Sequence, residues 1–371
     1  MTPAWALVAG GGTAGHVLPG IAIGKALVAA GHDPSTIRFV GSTAGMEAAL
    51  VPEAGFGVTL LPGKGIQRRL AIANLGAALG LAQASAQALR LVRRARPAVV
   101  VSLGGYASVP CAMAAAVLRV PIVVHEQNAV PGAANRLVGR FARACAVSFP
   151  GTDLPRAVLT GNPVRAEVLA VDRQRDRSQA RARLGIGDGR RLLAIFGGSL
   201  GAGRINGAVR DALPMWADRS DLAVHHIVGR REWPAVGSSV PSLPAGGLEY
   251  EPVEYEARMD LVLAAADLVV CRAGATSIAE LSALGAPSIL VPLPGAPGDH
   301  QTANAQYLER AGGAVLLPDA QLNGAYLVNE VDRVMNDGDR LSAMGRAAAQ
   351  CGRPDAATRV AALVEEHAKR G

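Results

Sequence analysis

Residues 7–27, LVAGGGTAGHVLPGIAIGKAL, and residues 193–209, LAIFGGSLGAGRINGAV, are two versions of one pattern. In each, a short apolar run leads into a glycine-rich loop and then into a helix-like segment. This order predicts a strand, a tight turn and a helix, which is the opening unit of a Rossmann-like fold. Two such units in a chain of 371 residues predict two domains.

Short apolar runs alternate with longer, alanine-rich segments along the whole chain. Uninterrupted apolar strands separated by helices are typical of parallel sheets covered on both faces. The sequence therefore predicts an α/β protein with two Rossmann-like, doubly wound domains that face a cleft. The predicted strands lie in runs 5–10, 36–41, 98–104, 121–127, 145–149, 191–198, 222–229, 266–274, 286–292 and 313–318.

The boundary between the domains is predicted near GNPVR, residues 161–165, because a charged, helical segment follows it. The first domain is expected to span 1–163 and to be joined by a C-terminal helix over 354–371. The second domain is expected to span 164–353.

Composition excludes several classes of protein. Half of the residues are hydrophobic and 18% are charged, which excludes a disordered or collagenous chain. The four cysteines lie far apart, so neither a disulfide framework nor a zinc site is indicated, and a reducing cytoplasm is the natural setting. No signal peptide and no transmembrane helix are expected, because every long charge-free stretch is polar or broken by a loop.

Positive charge is concentrated in the N-terminal part. Residues 1–143 carry 13 basic side chains against four acids, and 54–125 contain no acid. This asymmetry indicates an anionic partner, either nucleic acid or a membrane surface, with a solvated basic face as the plain alternative. The stretch lacks interleaved aromatic residues and any nucleic-acid-binding signature, so the membrane surface is favoured and no nucleic acid is expected.

The loop Gly10–Gly15 satisfies the pattern G-x-G-x-x-G. A dinucleotide site also needs an acid at the end of the second strand, where this chain has Gly41 and Ser42, so NAD is disfavoured. His16 follows in the first helical turn, where the helix dipole favours the neutral imidazole of a general base. The alternative is a helix-start histidine satisfied by the backbone.

Other polar residues follow predicted strands at the edge where α/β folds bind ligands. They are His125-Glu126-Gln127-Asn128 and the loop 104–108, which contains Tyr106. In the second half, 197–202 is a candidate phosphate cradle and 271–280 places a helix start where it could meet a diphosphate. Glu280 could accept both hydroxyls of a ribose. The pair Asp337 and Asp339 lies in a turn-like sequence, so no metal is implied.

Eight of these stretches resemble, in order and over nearly the whole chain, the MurG family. The family comprises membrane-associated N-acetylglucosaminyltransferases of bacterial peptidoglycan synthesis, with the two-domain glycosyltransferase B (GT-B) fold. The matching motifs are GGGTAGHVLPGIAIGKAL, GKG, SLGGYAS, HEQN, GNPVR, GGSLGAGRIN, VVCRAGATSIAEL and DHQTANA.

The resemblance implies an inverting transfer of GlcNAc from UDP-GlcNAc to the C4 hydroxyl of lipid I, undecaprenyl-pyrophosphoryl-MurNAc-pentapeptide, giving lipid II and UDP. It implies no cofactor and no metal. It places the protein at the cytoplasmic face of the cell membrane as a peripheral protein, with a part in cell-wall biogenesis, cell shape and cell division and with other cell-wall enzymes as candidate partners.

The resemblance also implies roles for individual residues. His16 is the proposed base, and Tyr106, His125 and Glu126 belong to the acceptor side. The substrate-binding residues implied are Thr13, Ala14, Gly15, Asn128, Arg165, Ser199, Glu256, Arg272, Ala275, Thr276, Ser277, Ile278, Ala279, Glu280 and Gln301.

Two departures from the family concern the donor site. Glu256 stands where an apolar residue is usual near the uracil, and Thr302 follows Gln301 where others have a second glutamine. An amphipathic segment, 65–96, is expected to dock on anionic lipid, with Ile66, Leu70, Ile72, Leu75 and Leu79 inserting or else packing in the core. The alternative functions are a glycosyltransferase acting on another membrane lipid, such as diacylglycerol, and a non-catalytic membrane module.

Overall fold

The structure, a computed structural model, describes residues 3–43, 45–62, 73–187, 189–198, 202–237 and 241–369, without the side chains of 73–79. The chain forms two compact units. Unit 1 comprises Met1–Arg165 and Arg353–Gly371, and unit 2 comprises Ala166–Gly352.

Unit 1 is built on a seven-stranded parallel sheet with the order β3-β2-β1-β4-β5-β6-β7. Its strands are β1 Ala6–Ala9, β2 Ile37–Ser42, β3 Gly57–Leu61, β4 Val99–Ser102, β5 Ile122–Glu126, β6 Ala144–Val147 and β7 Ala157–Leu159. Its helices are α1 Ala14–Ala29, α2 Glu47–Glu53, α3 Ala73–Ala95, α4 Ser108–Val117, α5 Ala133–Gly139 and the C-terminal α15 Ala356–His367.

Both faces of this sheet are buried. Alternate residues of β1 point to opposite faces, so Leu7 packs in one cluster with α3, α4 and α5, and Val8 packs in another with α1 and α15. The C-terminal helix is held to unit 1 by its apolar face and by a hydrogen bond between His32 Nε2 and Glu365 Oε1 at 2.9 Å.

Unit 2 repeats the plan with a six-stranded parallel sheet, order β10-β9-β8-β11-β12-β13. Its strands are β8 Arg191–Phe196, β9 Leu222–Ile227, β10 Glu249–Val253, β11 Leu268–Cys271, β12 Ser288–Leu290 and β13 Ala314–Leu316. Its helices are α6 Ala166–Leu169, α7 Arg177–Arg183, α8 Gly203–Trp216, α9 Trp233–Val236, α10 Met259–Ala265, α11 Ala275–Leu284, α12 His300–Arg310, α13 Gly324–Met335 and α14 Gly338–Cys351.

The predicted fold class, two doubly wound parallel α/β units, is confirmed. The ten predicted strands are all present, and the structure adds β3, β7 and β10, which lie at the edges of the two sheets. Within the described ranges, no helix has the length and apolar character needed to cross a bilayer.

Candidate active site

In unit 1, the predicted site residues follow three strands that are neighbours in the sheet, β1, β4 and β5. Their carboxyl ends therefore deliver three loops to one edge. The loops contact one another directly: Gly11 N–H donates to Gly104 O at 3.3 Å, and Gln127 Nε2 donates to Leu103 O at 3.1 Å. The sheet thus brings together the glycine loop, the Tyr106 loop and the His125–Asn128 segment.

His16 lies in the first turn of α1, half-buried, with Thr13 as the N-cap residue of that helix. Its Nδ1 lies 3.1 Å from Thr13 Oγ1. In the tautomer in which Nδ1 donates to Thr13, the basic lone pair is on Nε2. A Cβ placed on Gly104 would lie 3.3 Å from this Nε2, so the ring faces the Tyr106 loop. Ala14 and Gly15 form the same helical turn as His16.

His125 is fully buried at the end of β5. Burial lowers the pKa of His125 to about 4, and nearby His16 contributes to the shift. The imidazole is therefore neutral at pH 7. Its Nε2 lies 3.4 Å from Gly161 O and its Nδ1 lies 3.0 Å from Gln127 Nε2, so both ring nitrogens face protein groups.

Glu126 is buried, and both oxygens of its carboxylate accept hydrogen bonds. Oε1 accepts from the backbone N–H of Asn128 at 2.9 Å and from its side-chain Nδ2 at 3.3 Å. Oε2 accepts from Gly132 N–H at 3.0 Å and from Asn135 Nδ2 at 2.9 Å. These bonds shape the turn that follows β5. The geometry favours a positioning role for Glu126 over direct proton transfer.

Tyr106 is half-buried in the loop after β4. Desolvation raises the pKa of its phenol, and within the described residues its hydroxyl has no hydrogen-bond partner. The phenol is therefore protonated at pH 7 and can donate a hydrogen bond. Asn128, also half-buried, is held by Glu126.

In unit 2, β8 and β11 pair in parallel, so their carboxyl ends lie side by side. Ser199 lies outside the described residues. The loop after β11 ends at Gly274, the N-cap of α11, and the predicted residues 275–280 form the first turns of that helix. The first backbone N–H groups of a helix lack partners within it and suit an anionic group. Glu280, which is 6% exposed, lies in the second turn of α11.

Arg272 is turned into the fold. Its Nη1 donates to Asp319 Oδ1 at 2.6 Å and to the carbonyl oxygens of Val291 and Pro292 at 3.2 and 3.0 Å. Asp319 Oδ2 also lies 3.7 Å from Nε of Arg204, the second residue of α8. The geometry thus favours a positioning role for Arg272, in which it joins the loop after β11 to the turn at Asp319.

The remaining predicted donor residues lie in separate places. Gln301 Oε1 accepts from Leu293 N–H at 3.0 Å, while the Thr302 hydroxyl donates to Asp299 at 2.8 Å. Glu256 Oε1 accepts from Arg258 N–H at 2.6 Å. Arg165 is half-buried and is the last residue of the first segment of unit 1.

Three residues that the sequence analysis did not single out organise these loops: Glu47, Asn135 and Asp319. Asn135 is buried and bonds both His125 O and Glu126, and Asp319 binds Arg272. Glu47 accepts the N–H of Gly12 at 2.5 Å. Each of these residues is an isolated acid or amide outside any local motif, and its partners lie at a distance along the chain. Only the structure could show these contacts. Across the described residues, no group of three or more His, Cys, Asp or Glu side chains is arranged to hold a metal ion.

Two family models match the chain. The glycosyltransferase family 28 N-terminal domain matches residues 6–147, and the glycosyltransferase family 28 C-terminal domain matches residues 192–360. The first match runs from β1 to β6 of unit 1, and the second runs from β8 to β13 of unit 2.

Full-length relatives narrow the assignment. This chain is similar to proteins that carry the name UDP-N-acetylglucosamine--N-acetylmuramyl-(pentapeptide) pyrophosphoryl-undecaprenol N-acetylglucosamine transferase. The protein of that name from Nocardioides sp. is 42% identical to it, and the alignment covers 97% of each chain. That of Streptomyces coelicolor is 40% identical, again covering 97% of each. The crystal structure of Acinetobacter baumannii MurG is 28% identical, with a TM-score of 0.78 over 98% of this chain and 100% of that one. The chain therefore belongs to the MurG family of N-acetylglucosaminyltransferases, and its two parallel-sheet units are the GT-B fold of that family.

Proposed function

We propose that this protein transfers GlcNAc from UDP-GlcNAc to the C4 hydroxyl of lipid I, with inversion at the anomeric carbon, giving lipid II and UDP. The observation that carries the proposal is the 42% identity, over 97% of the chain, to a transferase named for this donor and acceptor. The geometry of unit 1 supports the proposal. Neutral His125, the protonated phenol of Tyr106 and the turn held by the Glu126 carboxylate lie at one edge of the sheet.

His16 is the base in the proposed reaction. Its Nε2 takes the proton of the acceptor C4 hydroxyl as that oxygen attacks the anomeric carbon of GlcNAc. Thr13 orients the ring through Nδ1. Tyr106 faces the acceptor side as a hydrogen-bonding group. His125, whose ring nitrogens face Gly161 and Gln127, supports this edge from within the fold, and Glu126 holds the turn that presents Asn128.

In the proposal, most of the residues that bind the donor belong to unit 2. Backbone N–H groups at the start of α11, with Ser199 and Arg165, stabilise the diphosphate, and Glu280 accepts the ribose hydroxyls. Gln301 contacts GlcNAc, with Thr302 as the alternative, while Glu256 contributes main-chain atoms to uracil recognition. Arg272 positions the loop before α11. Ala14, Gly15 and residues 275–279 contribute backbone and close contacts to the sugar and the diphosphate.

In the proposed sugar transfer, the bonds broken and formed balance without a metal ion. The bond between the anomeric carbon and the diphosphate oxygen breaks as the new glycosidic bond forms, and UDP leaves with the electron pair. Helix N-termini and arginine stabilise the charge that develops on UDP. A single displacement inverts the anomeric configuration.

The function is tested by measuring UDP release by the purified protein, with EDTA present and a soluble lipid I analogue as acceptor. We expect release that depends on the acceptor and that is faster with UDP-GlcNAc than with UDP-glucose. Release with diacylglycerol in place of the analogue would instead favour the alternative lipid glycosyltransferase. No release with either acceptor, from folded protein, would contradict the proposal.

We also propose that unit 1 docks on the cytoplasmic face of the membrane as a peripheral protein. An open pocket of about 530 Å³ is lined by Pro3 and four arginines, Arg90, Arg93, Arg94 and Arg96. Across the described residues, none of the four forms an ion pair with a carboxylate. Each basic side chain near anionic lipid contributes about 1 kcal/mol.

Exposed apolar side chains accompany these arginines. Leu89 on α3, Val117 at the end of α4 and Phe141 after α5 are 39%, 71% and 50% exposed. The three helices pack on the same face of the sheet, in one cluster. Of the residues predicted to insert, Ile66, Leu70 and Ile72 lie outside the described residues, as do the side chains of Leu75 and Leu79.

Replacing Arg93 and Arg94 together with glutamate is expected to weaken membrane binding about tenfold or more, because two favourable charges become repulsive. The measurement is co-sedimentation with vesicles containing phosphatidylglycerol, compared with phosphatidylcholine alone. The matched control replaces Arg183 and Arg346, two exposed arginines of unit 2, with glutamate. Equal binding by both double variants would contradict docking through this arginine cluster.

A further inference from the structure

Glu47 is a buried acid that the proposed chemistry does not use. It is 2% exposed and is the first residue of α2. Its Oε1 accepts the backbone N–H of Gly12 at 2.5 Å, across 35 residues of sequence. Its Oε2 is buried and, within the described residues, has no hydrogen-bond partner. Burial of a carboxylate is costly, so its place in the fold calls for an explanation.

Glycines leave the space that this carboxylate fills. A Cβ on Gly11 would lie 1.2 Å from Glu47 Oε1, and a Cβ on Gly45 would lie 1.7 Å from Oε2. Gly11 and Gly12 also have φ angles of 140° and 98°, which side-chain-bearing residues rarely adopt. The glycine loop of unit 1 therefore closes around a side chain of its own unit.

The Glu47 carboxyl group lies where a glycine loop of this kind commonly binds an anion. In folds where such a loop holds a phosphate, backbone N–H groups beside the helix start bind it. Here the Gly12 N–H, one residue before the N-cap Thr13, already binds Glu47. The donor that a phosphate would use at this point is therefore already taken, so a G-x-G-x-x-G loop here need not hold a nucleotide phosphate.

The same loop supports the catalytic edge. Gly11 N–H donates to Gly104 O at 3.3 Å, and Gly104 lies against His16 Nε2. Thr13, which directly follows the loop, contacts His16 Nδ1 at 3.1 Å. A shift of the loop would therefore move both groups that orient the proposed base.

We infer that Glu47 is a positioning residue: its carboxyl group fills the glycine loop 10–12, accepts the Gly12 N–H and thereby holds Thr13 and His16 in place. The inference deepens the proposed function, because the role of His16 as base belongs to that proposal. The position of the loop itself does not depend on it.

The test compares Glu47→Ala, Glu47→Gln and the control Glu53→Gln, which changes an exposed acid at the other end of α2. Because small misplacements of reacting groups are costly, Glu47→Ala is expected to lower kcat about 10- to 100-fold. The KM for UDP-GlcNAc should change far less. Glu47→Gln keeps an oxygen for the Gly12 N–H and should retain most of the activity, and Glu53→Gln should match the wild type.

Hydrogen exchange of residues 10–16 gives a readout that is independent of activity. We expect faster exchange in Glu47→Ala, wild-type exchange in Glu53→Gln and an intermediate rate in Glu47→Gln, with unit 2 unchanged in all three. Unchanged exchange and kcat in Glu47→Ala, or equal losses in the Gln and Ala variants, would overturn the inference. A wild type that transfers no sugar would refute the proposed function, while exchange would still decide the role of Glu47.

Discussion

Replacing His16 with alanine is expected to lower kcat for sugar transfer by about 10²- to 10⁴-fold, the range that a general base contributes. The variant keeps the helix start but has no group that can take the proton of the acceptor hydroxyl. The proposed partner of His16 is the acceptor hydroxyl and not the donor, so the KM for UDP-GlcNAc should change little. Initial rates of UDP release at saturating acceptor measure both constants.

The matched control is His367→Ala, which removes a partly exposed histidine at the end of α15. It should retain wild-type kcat. Thr13→Val should fall between the two, because it removes the hydroxyl 3.1 Å from His16 Nδ1 but leaves the imidazole. A His16→Ala enzyme as fast as His367→Ala would show that another group is the base.

Replacing Asp319 with alanine is expected to lower the free energy of unfolding of unit 2 by about 3–5 kcal/mol, because it leaves a buried charge without its partner. Arg272 is 8% exposed and donates to Asp319 Oδ1 at 2.6 Å. The two carbonyl oxygens that also accept from its Nη1 carry no formal charge. Urea unfolding is followed by tryptophan fluorescence in a Trp5→Phe background, which reports on unit 2 because the two remaining tryptophans, Trp216 and Trp233, both lie there.

Two further variants distinguish the loss of the Arg272–Asp319 ion pair from a nonspecific decrease in the free energy of unfolding. Asp218→Ala, at an exposed acid of unit 2, should change the free energy of unfolding by less than about 0.5 kcal/mol. Adding Arg272→Met to Asp319→Ala should recover part of the loss, because the unpaired charge is removed as well. An Asp319→Ala loss no larger than that of Asp218→Ala would contradict the role of this pair.

Interior strands could be predicted from sequence because they are buried on both faces. Val99–Ser102 and Leu268–Cys271 are apolar throughout or nearly so and are completely buried. The strands that were missed lie at sheet edges and are partly exposed. Glu249–Val253, for example, contains two glutamates and a proline and has no fully buried residue. An edge strand needs neither a continuous apolar run nor a ladder on both sides.

The candidate site was predictable where its residues are contiguous. The polar run His125–Asn128 ends an apolar strand, and the topology then places it beside the loop of Tyr106. The supporting contacts were not predictable, because they join distant residues: Glu47 to Gly12 across 35 positions and Arg272 to Asp319 across 47. The family resemblance implied a substrate-binding role for Arg272, whereas its guanidinium binds within the fold.

The central claim, inverting transfer of GlcNAc to the C4 hydroxyl of lipid I, is tested most directly by determining the linkage in the product. The wild-type protein would be incubated with UDP-GlcNAc and a soluble lipid I analogue, and the disaccharide product analysed by NMR. Inversion at the α-linked anomeric carbon of the donor predicts a β-linkage from GlcNAc to O4 of MurNAc. An α-linkage, attachment at another hydroxyl, or free GlcNAc as the only sugar product would contradict it.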